Sequence, residues 1–186
     1  MALNIDIKEE QRKAQDVINQ QGLRVLVCAG TGCVANGSLN VIEKFKELGA
    51  DVSTLTEYDK MTIVPTGCHG FCEQGVLVII PDKHVTYVKV KETDVEEIYE
   101  SHVKNNQPVE RLLYTDPASG QHVHKNEEIN FYAKQTRTAL ANCGKINAEC
   151  IEESIAVRGY EALANVIASG NPDAVIDEIE KSGLRG

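Results

Sequence analysis

Four cysteines in two short glycine-rich loops constrain this sequence more than any other feature. Cys28 and Cys33 are separated by four residues, and Cys68 and Cys72 by three. Each pair follows an apolar segment that is typical of a β-strand, so two loops at the same end of one sheet would bring four thiolates together. A 2Fe–2S cluster takes four ligands, usually thiolates, two on each iron. The spacing therefore predicts one iron on the first pair and the other iron on the second pair.

The glycines beside these cysteines have a chemical purpose in this interpretation. Gly30, Gly32, Gly67 and Gly70 let backbone N–H groups turn toward the cluster, because glycine has no side chain in the way. Hydrogen bonds to sulfur stabilise the reduced, more negative state and tune its potential. The predicted function is electron transfer, in which the protein supplies ligands, hydrogen bonds and a dry pocket.

Other interpretations of the same cysteines stay open at this point. Zinc also binds four cysteines, although its usual knuckles are Cys-x-x-Cys and neither pair has that spacing. A thiol–disulfide enzyme would show Cys-x-x-Cys ahead of a helix. Four inert buried cysteines are a further alternative. In the non-redox hypothesis the domain is a zinc-binding or docking module for partner subunits.

Several neighbouring residues are not assigned a role in the cluster. The run Gly30 to Ala35 fits the G-x-G-x-x-A dinucleotide fingerprint, with Asp51 ~20 residues further on, but the flanking cysteines explain these glycines better. Cys143 and Cys150 have no partner pair nearby and are predicted to be small buried hydrophobes. His69 is expected to be solvated rather than to tune the cluster.

Charge and hydropathy restrict the partners and the location. The net charge is −9 and there is no run of Lys and Arg, which argues against a nucleic-acid partner. The N-terminus lacks a secretory signal, and the longest apolar run is far shorter than the ~20 residues that cross a bilayer. We therefore expect a cytoplasmic protein without membrane insertion. In a reducing cytoplasm, six cysteines favour metal binding over disulfides.

Local patterns predict four segments. Residues 1–19 contain an amphipathic helix, and residues 20–105 read as strand, helix, strand, β-hairpin and helix, with 52–58 as a weakly alternating strand. This mixed order predicts a small α/β sandwich of thioredoxin type. Residues 106–128 are rich in turn formers and predict a linker. Residues 129–186 predict a small helical segment.

The stretch VCAGTGCVANGS…PTGCHGFCEQGVLVIIP resembles the thioredoxin-like 2Fe–2S ferredoxin domain. The resemblance covers residues 20–105, and its cysteine pairs match that family's ligand motif. Such domains occur in the small flavoprotein-partner subunit of respiratory complex I. They also occur at the N-terminus of flavoprotein subunits of electron-bifurcating and NAD(P)-reducing hydrogenases. The resemblance implies a 2Fe–2S cluster on the four cysteines Cys28, Cys33, Cys68 and Cys72.

Residues 129–186 are similar to the opening of the flavoprotein subunit of respiratory complex I. In that family, the sequence after SGLRG continues into the domain that binds FMN and NADH. The resemblance therefore implies a hydrogenase or NADH dehydrogenase beta subunit that is cut before its flavin domain. FMN and NAD(P) would be bound only by the intact parent oxidoreductase, and this chain alone would not be catalytic. The implied partners are other subunits of such a complex, and a homodimer stays open.

Overall fold

The computed structural model describes residues 6–50 and 61–185. The chain forms two compact units, Asn19–Cys150 and a unit that combines Met1–Ile18 with Ile151–Gly186. The segment 52–58, predicted as a strand, lies outside the described residues.

A four-stranded mixed sheet is the centre of the larger unit, with strand order β2-β1-β3-β4. The strands are Leu23–Cys28 (β1), Met61–Thr66 (β2), Val78–Ile80 (β3) and Val85–Tyr87 (β4). β2 is parallel to β1, and the predicted hairpin is confirmed as antiparallel β3 and β4. Because β1 is flanked by β2 and β3, its last four residues are buried and apolar. The register pairs Cys28 with Thr66, so both parallel strands end at one edge.

Helices cover this sheet and make up the smaller unit. The α-helices are Ile7–Asn19 (α1), Thr31–Ala35 (α2), Ser38–Ala50 (α3), Val95–Glu97 (α4), Asn130–Ala133 (α5), Ile151–Ala156 (α6), Glu161–Ser169 (α7) and Pro172–Ser182 (α8). The helix predicted near residues 93–104 is a composite, in which α4 is preceded by a 3₁₀ turn and followed by a π-helix over Ile98–Lys104. Phe45 of α3 and Ile98 are fully buried in the same core as the sheet. The described residues include no helix of the length and apolar character that would cross a membrane.

Residues 106–150 belong to the sheet unit. Leu112, Leu113 and Ile129 are buried, and a second, two-stranded sheet pairs Tyr114–Thr115 (β5) with His122–Val123 (β6). The turn-rich sequence of this region favoured a linker because local signals report turns, whereas they do not report what the intervening apolar residues pack against. The segment is an integral part of the packed domain.

In the smaller unit, α1 contacts the C-terminal helices through a side-chain amide. Gln15 Nε2 donates a hydrogen bond to the Ala156 carbonyl at 3.1 Å. Asn171 caps α8 by accepting from the backbone N–H of Ala174 at 3.2 Å, and Gly183 ends the helix with a φ of 67°. Residues of the local sequence therefore define both ends of α8: Asn171 caps the first turn with its side chain, and Gly183 adopts the left-handed conformation that ends the helix.

Candidate metal centre

The two cysteine pairs leave the same edge of the sheet. Cys28 is the last residue of β1, and Cys33 lies in the short α2 that follows. Cys68 comes two residues after β2, and Cys72 begins a 3₁₀ turn. Cys28 and Cys33 are buried and form the inner pair, whereas Cys68 and Cys72 are exposed and form the outer pair. The two cysteine loops therefore lie at the same end of the sheet, as the sequence predicted.

The sulfur atoms of the two pairs are neighbours. The outer pair has its Sγ atoms 3.8 Å apart. Both Cys33 and Cys68 act on the pKa of Cys28, so the inner pair and the outer pair are electrostatically linked. Within residues 6–50 and 61–185, no group of three or more His, Cys, Asp or Glu side chains is placed to hold a metal ion. The four cysteines instead form two pairs. This arrangement fits a 2Fe–2S cluster, which binds two thiolates on each of its two irons.

The Cys28 sulfur is in an environment that favours negative charge. Interaction with the neighbouring Cys33 thiol has the largest effect and lowers the pKa of Cys28 to about 6, against the opposing effect of burial. The nearby backbone of His69 and Gly30 acts on this pKa in the same direction. The Cys33 pKa is raised in turn, because its proton is shared with Cys28. Since the thiolate is the form that binds metal, Cys28 is prepared to act as a ligand.

Glycine backbone packs directly on the sulfur atoms. A Cβ added at Gly30 would lie 3.2 Å from Cys68 Sγ, and one at Gly75 would lie 2.7 Å from Cys33 Sγ. The backbone N–H of Gly70 donates to Cys68 Sγ at 3.3 Å, as the sequence predicted for this glycine. Only glycine fits at such close contacts, so the two loops form a tight cradle around the cysteines. Sequence reasoning missed Gly75, although it shares a loop with Cys72 in CEQG.

An apolar wall closes the inner side of the site. Phe71 stacks on Phe131, with ring centroids 4.5 Å apart and planes within 7°. Tyr114 and Tyr132 each approach the Phe71 ring at 5.5 Å. The inner cysteines are buried in the same cluster as Phe71, Tyr114 and Ile129. Most of this wall comes from the region predicted as a linker and from the residues just after it.

The expectation that His69 is solvated is wrong. Its side chain is buried, and Nε2 is 3.1 Å from Thr66 Oγ1. Burial lowers the pKa of His69 to about 4, and the positive charge of Arg137 adds to the effect. The ring lies so close to the backbone of Gly144 that a Cβ there would overlap it. The imidazole is therefore a neutral packing residue within the cysteine loop.

The other residues singled out in the sequence are two further cysteines and the glycine-rich run of the dinucleotide fingerprint. Cys143 and Cys150 are half-buried rather than fully buried. In the run Gly30 to Ala35, the glycines abut cysteines: a Cβ at Gly32 would lie 3.5 Å from Cys72 Sγ. Close contact with the cysteines accounts for these glycines without a nucleotide. Asp51, the acidic residue of the dinucleotide fingerprint, lies outside the described residues.

Comparisons with known proteins identify relatives of the sheet unit. The family model of the thioredoxin-like [2Fe-2S] ferredoxin matches residues 18–102, which contain all four paired cysteines. A 2Fe-2S ferredoxin of Clostridium pasteurianum is 35% identical over 80 residues, which are 43% of this chain and 76% of the relative. A 2Fe-2S ferredoxin of Aquifex aeolicus (strain VF5) is 38% identical over 82 residues, covering 44% and 71%. The NADP-reducing hydrogenase subunit HndC of Solidesulfovibrio fructosivorans is 51% identical over 53 residues, 28% of this chain and 11% of that subunit.

Proposed function

Because this chain belongs to the thioredoxin-like [2Fe-2S] ferredoxin family, we propose that its four paired cysteines ligate a 2Fe–2S cluster through which the chain transfers electrons. The inner pair, Cys28 and Cys33, would hold one iron, and the outer pair, Cys68 and Cys72, the other. One observation carries this assignment: two thiol pairs meet at one sheet edge, with glycine backbone packed against their sulfur atoms. Such a cradle keeps other side chains away from the four sulfur atoms.

A 2Fe–2S cluster, when bound, takes up and gives up one electron at a time. The protein contributes a different environment on each side. The buried inner pair faces the aromatic wall, which keeps water away. The outer pair is exposed, so a redox partner can approach Cys68 and Cys72 from solvent. The Gly70 N–H on Cys68 stabilises added negative charge on that sulfur.

The finer part of the proposal places this chain in a larger oxidoreductase. We infer a relay in an NAD(P)H-dependent FMN and iron–sulfur enzyme of the NADH dehydrogenase or NAD(P)-reducing hydrogenase kind. Support comes from the 51% identity to the hydrogenase subunit, and from the resemblance of residues 129–186 to the start of a flavoprotein subunit. In this proposal residues 20–105 are the ferredoxin domain. Other subunits of the complex are the electron partners, and FMN and NAD(P) are bound by other parts of the assembly.

Cysteine substitutions test the ligand assignment. Each of Cys28→Ala, Cys33→Ala, Cys68→Ala and Cys72→Ala should abolish or severely reduce the visible absorption and the iron content of anaerobically purified protein. Cys143→Ala and Cys150→Ala are the matched controls and should leave both unchanged. Loss of the absorption in Cys143→Ala, or its survival in Cys28→Ala, would contradict the assignment. A chain that binds zinc and no iron would support the non-redox alternative.

A further inference from the structure

A segment beyond the family match lies along the loop that carries the outer pair. The family model ends at residue 102, and the segment 129–147 lies in the same unit as the sheet. It contacts the loop 66–72 at several successive positions. These contacts are Thr66 with Asn147, His69 with Gly144, His69 with Arg137, and Phe71 with Phe131 and Tyr132. A loop held at its start, middle and end has little freedom to move its two cysteines.

Arg137 makes the polar part of this contact. Its Nη2 donates a hydrogen bond to the backbone carbonyl of His69, the residue that follows Cys68. The same nitrogen would be 3.3 Å from a Cβ at Gly70, so the guanidinium rests on the backbone of the loop. On its other side the guanidinium lies over the Tyr132 ring, with Cζ 5.0 Å from the centroid. The cation is therefore fixed between the loop and the aromatic wall.

A fixed positive charge at this place has two effects on the outer pair. The hydrogen bond from Arg137 restrains the His69–Gly70 peptide group. The carbonyl of that peptide accepts from Arg137, and its N–H, on Gly70, donates to the Cys68 sulfur. The charge also favours the more negative, reduced state of any group that these sulfurs hold. Both effects act on electron transfer without any contact between Arg137 and a ligand sulfur.

We propose that residues 129–147 clamp the outer cysteine loop and that Arg137 is a positioning residue, which holds the loop and raises the reduction potential of the cluster. This inference rests on the proposed function, because it assumes that the outer pair ligates iron. The sequence predicts a helical segment over residues 129–186, but Arg137 lies outside any helix, between Asn130–Ala133 and Ile151–Ala156. Neither that pattern nor a metal-ligand spacing pointed to this residue.

The reduction potential of the full chain, measured by redox titration with EPR detection, tests the proposal. Arg137→Gln removes the charge, and we expect its reduction equilibrium to fall about tenfold, which is 59 mV for a one-electron couple. Arg137→Lys keeps the charge without the planar fork and should recover most of the potential. Lys134→Gln is the matched control, since Lys134 is exposed in the same segment and its loss should leave the potential unchanged.

Hydrogen exchange gives a second readout that does not depend on the cluster. In the metal-free full chain, peptides that cover residues 66–72 should exchange faster in Arg137→Gln than in Lys134→Gln. Equal potentials and equal exchange in these two variants would overturn the clamp, provided that the wild type binds iron. A wild type that binds no iron and sulfide would instead refute the proposed function, so the two failures are distinguishable.

Discussion

Replacing Tyr87 by Phe removes one hydroxyl that connects three parts of the sheet unit. Tyr87, in β4, is fully buried, and its Oη is 2.7 Å from His102 Nδ1. The same oxygen accepts a hydrogen bond from the backbone N–H of Val109 at 3.0 Å. Donation from the Tyr87 O–H to Nδ1 gives this buried hydroxyl an acceptor as well as a donor, and it places the proton of the neutral His102 on Nε2. The hydroxyl thus ties the π-helix and residue 109 to the sheet.

The size of the effect follows from the groups that Tyr87→Phe leaves behind. The substitution leaves one buried acceptor, on His102, and one buried donor, on Val109, without a partner. Each unsatisfied buried group costs about 1–3 kcal/mol, so the loss of unfolding free energy is about 2–6 kcal/mol. Phe fills nearly the same volume, so a cavity adds little. We expect a loss near the middle of this range, about 4 kcal/mol.

Urea unfolding followed by far-UV circular dichroism measures this loss. The control is Tyr160→Phe, because Tyr160 is 54% exposed. The control should change the free energy of unfolding by less than about 0.5 kcal/mol. A loss below about 1 kcal/mol in Tyr87→Phe would contradict this expectation, since it would mean that the hydrogen bonds to His102 and from Val109 contribute little to stability.

Three further predictions concern stability and cluster binding. Burial lowers the pKa of His102 to about 4, as it does for His69, so below pH 6.5 the unfolded chain binds protons that the folded chain does not. Each histidine should contribute about 2 kcal/mol to the stability lost in urea unfolding between pH 7 and pH 5, and His102→Asn should reduce that loss by about 2 kcal/mol while the share of His69 persists. Gly75→Ala places a Cβ 2.7 Å from Cys33 Sγ and should lower the iron content, whereas Gly67→Ala, with no atom within 4 Å, should not. Asn171→Ala removes the cap of α8 and should destabilise the smaller unit by about 1 kcal/mol, measured by thermal unfolding.

The parts of the fold that the sequence predicted are those with a complete local signal. β1 is a run of apolar residues that ends at a cysteine loop, and the hairpin has a turn between two β-branched runs. The thioredoxin-like fold follows from the order of these elements together with the family resemblance. The grouping of the four cysteines could be predicted because their two loops follow strands that end at one edge of the sheet.

The parts that the sequence did not predict depend on packing between distant residues. His69 has a polar side chain in a loop, which favoured solvent exposure, but Gly144 and Arg137 cover it from 68 or more positions away. Residues 106–128 contain turn signals at high density, and these gave no indication that Leu112 and Tyr114 are buried against the sheet unit. Contacts of this kind are set by tertiary structure, on which local propensity carries no information.

The content of iron and acid-labile sulfide in the anaerobically purified full chain decides whether the four paired cysteines hold a 2Fe–2S cluster. After reconstitution, we expect about two iron and two sulfide per chain. We also expect visible absorption that bleaches on reduction, with the appearance of a one-electron EPR signal. A colourless chain that takes up zinc and cannot be reconstituted with iron and sulfide would contradict the account.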